Sequence, residues 1–200
     1  MTVATSAAPP PPPGPQRPFT VNEYHRMIQS GVLTEDDPVE LLEGWVVFKM
    51  PRDPIHDATV DRTAEALLTR VGAGWRVRVQ SAITTGDSEP EPDVAVAPGP
   101  ASRYDARHPG PGDLILVAEI AGSSLDRDRD EKGRIYARAA IPVYWIVNLV
   151  DRRVEVYTDP SGPTATPLYR GRAVYGLNGS VPLNIPGQPP AAVPVRELLP

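Results

Sequence analysis

The chain has 200 residues, enough for one domain with a real hydrophobic core. It has no cysteine and three histidines (His25, His56 and His108), which excludes disulfides and thiolate metal sites and argues against a closed structural zinc site. The formal net charge of −5 argues against a broad phosphate-tracking surface, and no apolar run approaches the ~20 residues of a membrane-spanning helix.

Residues 1 to 17 are Ala/Pro-rich and read as a disordered, partly polyproline II tail. They lack the basic and apolar regions of a signal peptide, so the expectation is a soluble cytoplasmic protein whose residues 18 to 200 form a single domain. Thr20-Val-Asn-Glu23 matches a capping box and predicts a short helix from Val21 to Gln29, stopping at Gly31. VELL and WVVFKM flank Glu43-Gly44 and read as a hairpin, broken by Pro51 and Pro54. The spacing of Val60, Ala64, Leu67, Leu68 and Val71 predicts an amphipathic helix over 57 to 71.

WRVRVQSAI alternates as a half-exposed strand would, and PDVAVA is a short strand before a Pro/Gly-rich loop over 98 to 112. LILVAEIA is almost wholly apolar, which predicts a central strand covered on both faces. A helix over 125 to 140 and a buried strand, VYWIVNL, follow. VEVYTDP pairs with that strand across Asp151-Arg152-Arg153. Past Gly162 the pattern weakens into short strands and loops, with a short helix at Val195 to Leu199. Helices interleaved with a mixed sheet make one α/β domain.

Glu119 interrupts its apolar strand, where an uncompensated buried carboxylate costs several kcal/mol. Two explanations are open. Either the strand end emerges into solvent at Gly122, or a bound cation makes clustered negative charge favourable. A second carboxylate points to the cation. Asp93 heads an apolar strand directly after Pro92, and Glu91 points to the same side by the period-two alternation of an extended chain. If the two strands are neighbours, Asp93 and Glu119 project from one edge of the sheet. Two carboxylates plus waters is how Mg2+ is usually held. Lysine is scarce: against 18 arginines (20 minus 2) the chain has only Lys49 and Lys132.

Pro92-Asp93 followed by Glu119 resembles the PD-(D/E)XK signature of restriction-endonuclease-like nucleases. The ordered set VELLEGWVVFKMP, EPDVAV, LILVAEIAGSS, DRDEKGRIYARAAIPVYWIVN and RRVEVY is similar to the Uma-two family, a large bacterial group of endonuclease-like proteins, over roughly residues 19 to 199. The resemblance implies the PD-(D/E)XK fold, a central mixed sheet flanked by helices. It also implies Mg2+ (or Mn2+ in its place) as cofactor, nucleic acid, foremost DNA, as substrate, and a homodimer, since cutting two strands needs two sites. Asp93, Glu119 and the Ile120 carbonyl would hold the ion.

The parent motif's lysine falls two residues after the acid, where this chain has Ala121. Relatives with a migrated lysine supply it from the following helix, a place that Lys132 matches; the alternative is one more charge on the solvated face of DRDRDEKGR. Glu40 matches an acid before the first hairpin turn that could complete the metal shell, with a plain surface glutamate as the alternative. His56 matches a histidine that would contact phosphate or metal, or else cap its helix. Ser123 and Ser124 are expected to cap the next helix, Tyr144 and Trp145 to lie in the core, and His25 and His108 to be incidental. Glu91 stands where an arginine is common in the family, either adding a ligand or repelling DNA. Four features bear on catalysis: Ala121, the acidic balance, GSS in place of a Ser-Pro-Ser/Thr run, and Asn148 where YWIVD would end in aspartate. They keep a second reading open, a non-catalytic binding or assembly module on a nuclease fold.

Overall fold

The computed structural model describes residues 16–200. The tail reading for residues 1 to 15 lies outside them, while Arg17 pairs with Glu23 at 2.9 Å. Helix α1, Val21–Gln29, begins at the predicted capping box: Thr20 Oγ1 accepts from the Glu23 N–H at 3.2 Å, and the Glu23 carboxylate accepts from the Thr20 N–H at 2.9 Å. Strands β1, Val39–Leu42, and β2, Trp45–Phe48, form the expected hairpin. Its turn residues Glu43 and Gly44 take φ of 50° and 82°, and a Cβ at Gly44 would stand 2.4 Å from Pro18.

Helix α2 is Pro54–Leu68 rather than 57 to 71. Pro54 does not break the chain here; it sits in the first helical turn, where its missing N–H costs nothing. Asp53 caps that turn by accepting from the His56 N–H at 2.8 Å. Strand β3, Trp75–Val79, is shorter than the alternating stretch that predicts it, because Gln80 turns to φ 43°. Strand β4 is Val94–Pro98, and β5, Leu116–Ala121, is buried at every residue, as a central strand should be.

The helix expected over 125 to 140 is divided. Helix α3, Leu125–Arg127, opens into a π-turn over Asp128–Lys132 before α4, Gly133–Arg138. The Gly133 N–H reaches back to the Asp128 carbonyl, and a Cβ at 133 would crowd that oxygen at 3.4 Å. Strands β6, Val143–Asn148, and β7, Arg153–Pro160, follow as expected. Strand β8, Tyr169–Gly176, is eight residues long where only short strands were expected; most of it is exposed, so little apolar alternation marks it. Strands β9, Ser180–Leu183, and β10, Ala191–Pro194, pair with each other, and α5, Val195–Leu198, ends the fold.

The main sheet runs β3-β4-β5-β6-β7-β8, with β5 and β6 parallel and every other pair antiparallel. This is the α/β architecture with a mixed central sheet that the sequence predicts. The single parallel pair needs a crossover, and the π-turn lies in it. Two cores result. Trp145, Ile120 and Val147 pack with Leu67 of α2 and Leu198 of α5 on one face, and Val117, Tyr144 and Ile146 with Ile135 and Tyr136 of α4 on the other. Tyr144 and Trp145 are thus core residues, as expected. Among the described residues no helix is long and apolar enough to cross a membrane.

One buried charge anchors the second face. Glu155 is wholly buried, yet it accepts from Arg129 at 2.5 Å, Tyr157 at 2.8 Å, Arg172 at 2.9 Å and Asn148 at 3.0 Å. Burial alone would raise its pKa; these donors outweigh burial and hold it well below the usual carboxylate range. A depressed folded-state pKa means stabilisation that is present above the ordinary carboxylate pKa and lost as pH falls through and below it. Glu155→Ala is expected to cost about 3–5 kcal/mol in urea denaturation at neutral pH. The deficit relative to wild type should shrink on acidification.

Candidate active site

Strands β4 and β5 are antiparallel neighbours with Val94 opposite Ala118, so Asp93, one residue before β4, comes to lie beside Glu119. The main chain of Asp93 is fixed on both sides: its N–H donates to Glu119 Oε2 at 3.3 Å, and its carbonyl accepts from the Gln80 N–H at 2.9 Å. Asp93 Oδ2 accepts from the Ile120 N–H at 2.8 Å and lies 3.2 Å from His56 Nε2. Lys132 Nζ donates to Glu119 Oε1 at 2.9 Å and stands 3.6 Å from Glu40 Oε2, while Tyr136 Oη donates to the same Glu119 oxygen at 2.5 Å.

Glu40, His56, Asp93, Glu119, Ile120 and Lys132 line the floor of a cleft of about 630 Å3, with Tyr136 behind them. Glu119 (3 % exposed), Glu40 (3 %) and Lys132 (8 %) are buried, which removes the alternatives of an emerging strand end, a surface glutamate and a solvated lysine. Glu91 also lines the cleft, tied to Lys49 at 2.6 Å. His56 does not cap its helix, since Asp53 does; its ring faces Asp93 instead. Ser124 does not cap through its side chain either. Its hydroxyl donates to Asp128 Oδ2 at 2.6 Å, and both residues line the cleft. His25 and His108 have partners after all: both approach the buried Glu89, at 2.6 and 3.8 Å.

Asp128 and Tyr136 are the two members of the site that the motif reading lacks. A signal for them is present, because Ser124, Asp128, Lys132 and Tyr136 recur at every fourth position. In a plain α-helix that spacing drifts round the axis; the wide π-turn offsets the drift and keeps Asp128, Lys132 and Tyr136 all buried on the side facing the sheet. The Asp128 carbonyl also accepts from Tyr144 Oη at 3.0 Å, which fastens the turn to β6.

Negative charge is in excess. The lining acids are Glu35, Asp37, Glu40, Glu91, Asp93, Glu119 and Asp128, against Lys49, Arg52, Arg127 and Lys132. Burial is the largest influence on Glu119 and raises its pKa to about 8, with Lys132 pulling the other way and Asp93 and Asp128 adding to the rise. Asp128 is raised to about 6, again chiefly by burial. Burial would lower the Lys132 pKa, but Glu119, Glu40 and Asp128 outweigh it and keep the ammonium protonated. The donor set is all carboxylate oxygen at its centre, which suits a hard cation such as Mg2+ or Mn2+. Among the described residues no three His, Asp or Glu side chains are gathered into a ready-made metal cluster. Asp93 and Glu119 are the two adjacent carboxylates that could hold such an ion.

Residues 21–184 match the Uma2 family, described as "Putative restriction endonuclease". The chain belongs to the Uma2 family. A similar solved structure is the crystal structure of a putative nuclease belonging to DUF820 from Anabaena variabilis ATCC 29413. It is 16% identical, with a TM-score of 0.65 over 90% of this chain and 97% of that one. At that identity the likeness shows a shared fold. No curated protein gives a significant match. Ala121, two residues after Glu119, is fully buried, and the crossover brings the Lys132 ammonium to Glu119.

The pair should behave as a unit. Lys132→Met leaves Glu119, Glu40 and Asp128 uncompensated and is expected to cost about 3–5 kcal/mol in urea denaturation. Lys132→Met combined with Glu119→Gln should cost clearly less than the sum of the two single changes, the coupling that a double-mutant cycle reads.

Proposed function

We propose that this Uma2 chain is a Mg2+-dependent endonuclease that hydrolyses phosphodiester bonds of nucleic acid, with DNA as the substrate. The observation that carries the reading is the meeting of Asp93, Glu119 and Lys132 at the floor of one cleft, from two strands and the crossover after them. Asp93 and Glu119, with the Ile120 carbonyl, would hold the ion, while Glu40 stands 3.6 Å from Lys132. A bound Mg2+ supplies Lewis-acid polarisation of a phosphoryl oxygen and lowers the pKa of a coordinated water.

The protein's own groups divide the remaining work. Lys132 stays protonated, so its part is charge stabilisation of the phosphorane-like transition state rather than proton abstraction. Tyr136, buried and with its pKa pushed up mainly by burial, keeps its proton and donates to Glu119 Oε1; Glu119 Oε2 is left on the Asp93 side. His56 and the Ile120 N–H orient Asp93 Oδ2. The acidic lining disfavours a phosphate backbone until divalent cations neutralise it, which supports metal dependence for substrate entry as well as for chemistry.

Two measurements test this. Pure wild-type protein should nick supercoiled DNA with Mg2+ or Mn2+, and Asp93→Ala and Lys132→Ala should each abolish nicking. Equal cutting by both variants would remove the assignment, and metal-dependent DNA binding without cutting by wild type would favour the non-catalytic module. Burial raises the Glu119 pKa to about 8, so protons compete with an incoming ion for this carboxylate. Calorimetric affinity for Mg2+ or Mn2+ should therefore rise with pH and level off above about 8, with proton release seen in buffers of different ionisation heat.

A further inference from the structure

Beyond the cleft, the same sheet face carries a second concentration of charge with the opposite sign. Glu155 is ringed by three guanidinium groups: Arg129 at 2.5 Å, Arg172 at 2.9 Å and Arg153 at 3.3 Å. Their side chains are 27 %, 47 % and 34 % exposed, so each reaches solvent while the carboxylate beneath them does not. Asp151 also pairs with Arg153 at 2.9 Å, which leaves three positive groups against two negative ones. Arg172 stacks on the Tyr157 ring at 5.7 Å. Among the described residues, the Nη1 groups of all three arginines donate to no protein acceptor; their bonds to Glu155 run through Nε and Nη2.

Converging, half-exposed guanidinium groups with unused donors are what an oxyanion recognises, and a buried carboxylate that fixes their orientation makes the arrangement preorganised. Its position is informative. Glu119, Ile146 and Glu155 lie in one row across β5, β6 and β7, so the cluster sits two strand spacings, roughly 10 Å, from the candidate active site. Arg129 and Lys132 belong to the same π-turn and serve its opposite flanks.

We propose that Arg129, Arg153 and Arg172 form a phosphate-binding subsite, oriented by Glu155, that holds a backbone phosphate of the strand lying in the cleft. The ligand chemistry is a phosphate oxyanion; its source as a nucleic-acid strand rests on the nuclease reading above. A short fluorescent single-stranded oligonucleotide, titrated with full-length protein with Ca2+ in place of Mg2+, reads strand binding without cleavage. Inorganic phosphate, added in thermal melts, reads the free anion.

Arg153→Ala and Arg172→Ala should each weaken oligonucleotide binding about three- to tenfold and reduce the salt slope by about 0.7. Arg172→Lys should keep the slope, and melting temperatures without ligand should stay near wild type, since Arg129 still satisfies Glu155. Arg62→Ala, an equal charge change on α2 at the opposite face, should leave binding unaltered. Phosphate should raise the melting temperature of wild type and not of the Arg153→Ala/Arg172→Ala double variant. If wild type binds phosphate through these arginines but no oligonucleotide, the subsite stands and the nuclease reading falls. If the double variant matches wild type with both probes, if Arg62→Ala loses as much, or if wild type binds neither probe, the subsite is wrong.

Discussion

The structure turns on one ammonium group in an acidic hollow. Lys132 is buried against Glu119, with Glu40 and Asp128 close enough to raise its pKa, and without it those carboxylates would face one another in a poorly solvated space. A buried ion pair is seldom the cheapest way to stabilise a protein, because desolvation of both charges offsets much of their attraction. Its presence here is better understood as a means of tolerating a group of acids that stability alone would not place together. The cluster still carries more negative charge than Lys132 neutralises, and Asp93 and Asp128 add to the rise that burial imposes on the Glu119 pKa. A proton or a divalent cation relieves it.

Delivery of that ammonium depends on topology. Asp93 and Glu119 need only a pair of adjacent antiparallel strands, whereas Lys132 must come from the crossover between the two parallel strands. The π-turn makes the reach possible, and it is pinned at several points: Tyr144 holds the Asp128 carbonyl, Glu155 holds Arg129, and Glu119 holds Lys132. Tyr144 in turn packs edge-on against Tyr136 with ring centroids 5.0 Å apart and stacks near Tyr157 at 5.7 Å. The aromatic layer beneath the turn couples the two charged centres, so the acidic cleft and the arginine cluster share one rigid support.

Much of this is legible in the residues. The capping box at Thr20, the Glu43-Gly44 turn and the apolar β5 run each have strong local causes, and they appear where those causes place them. Asp93 and Glu119 are readable because a proline-led strand head and a carboxylate in an apolar strand are both anomalies. The errors have equally local origins. Pro54 reads as a breaker when nothing shows that Asp53 will cap the turn, and Gln80 shortens β3 through a backbone angle that no pattern encodes. The π-turn lies within the charged run DRDRDEK, which offers no apolar period from which helical patterning could place it. Asp128 and Tyr136 escape a motif reading for another reason: their roles come from contacts with Lys132 and Glu119, which only the fold creates. Glu155, a polar residue in an alternating strand, looks solvent-facing until its arginines arrive from α3's π-turn and from β8.

The two outermost strands of the sheet, β3 and β8, each have one open flank where another backbone could hydrogen-bond. Both carry arginines at alternate positions, Arg76 and Arg78 on the first and Arg170 and Arg172 on the second. An incoming copy of either strand would bring these arginines toward one another. In a protein whose overall balance is acidic, positive charge has been concentrated at the rims most open to self-association, which guards the sheet against lateral aggregation.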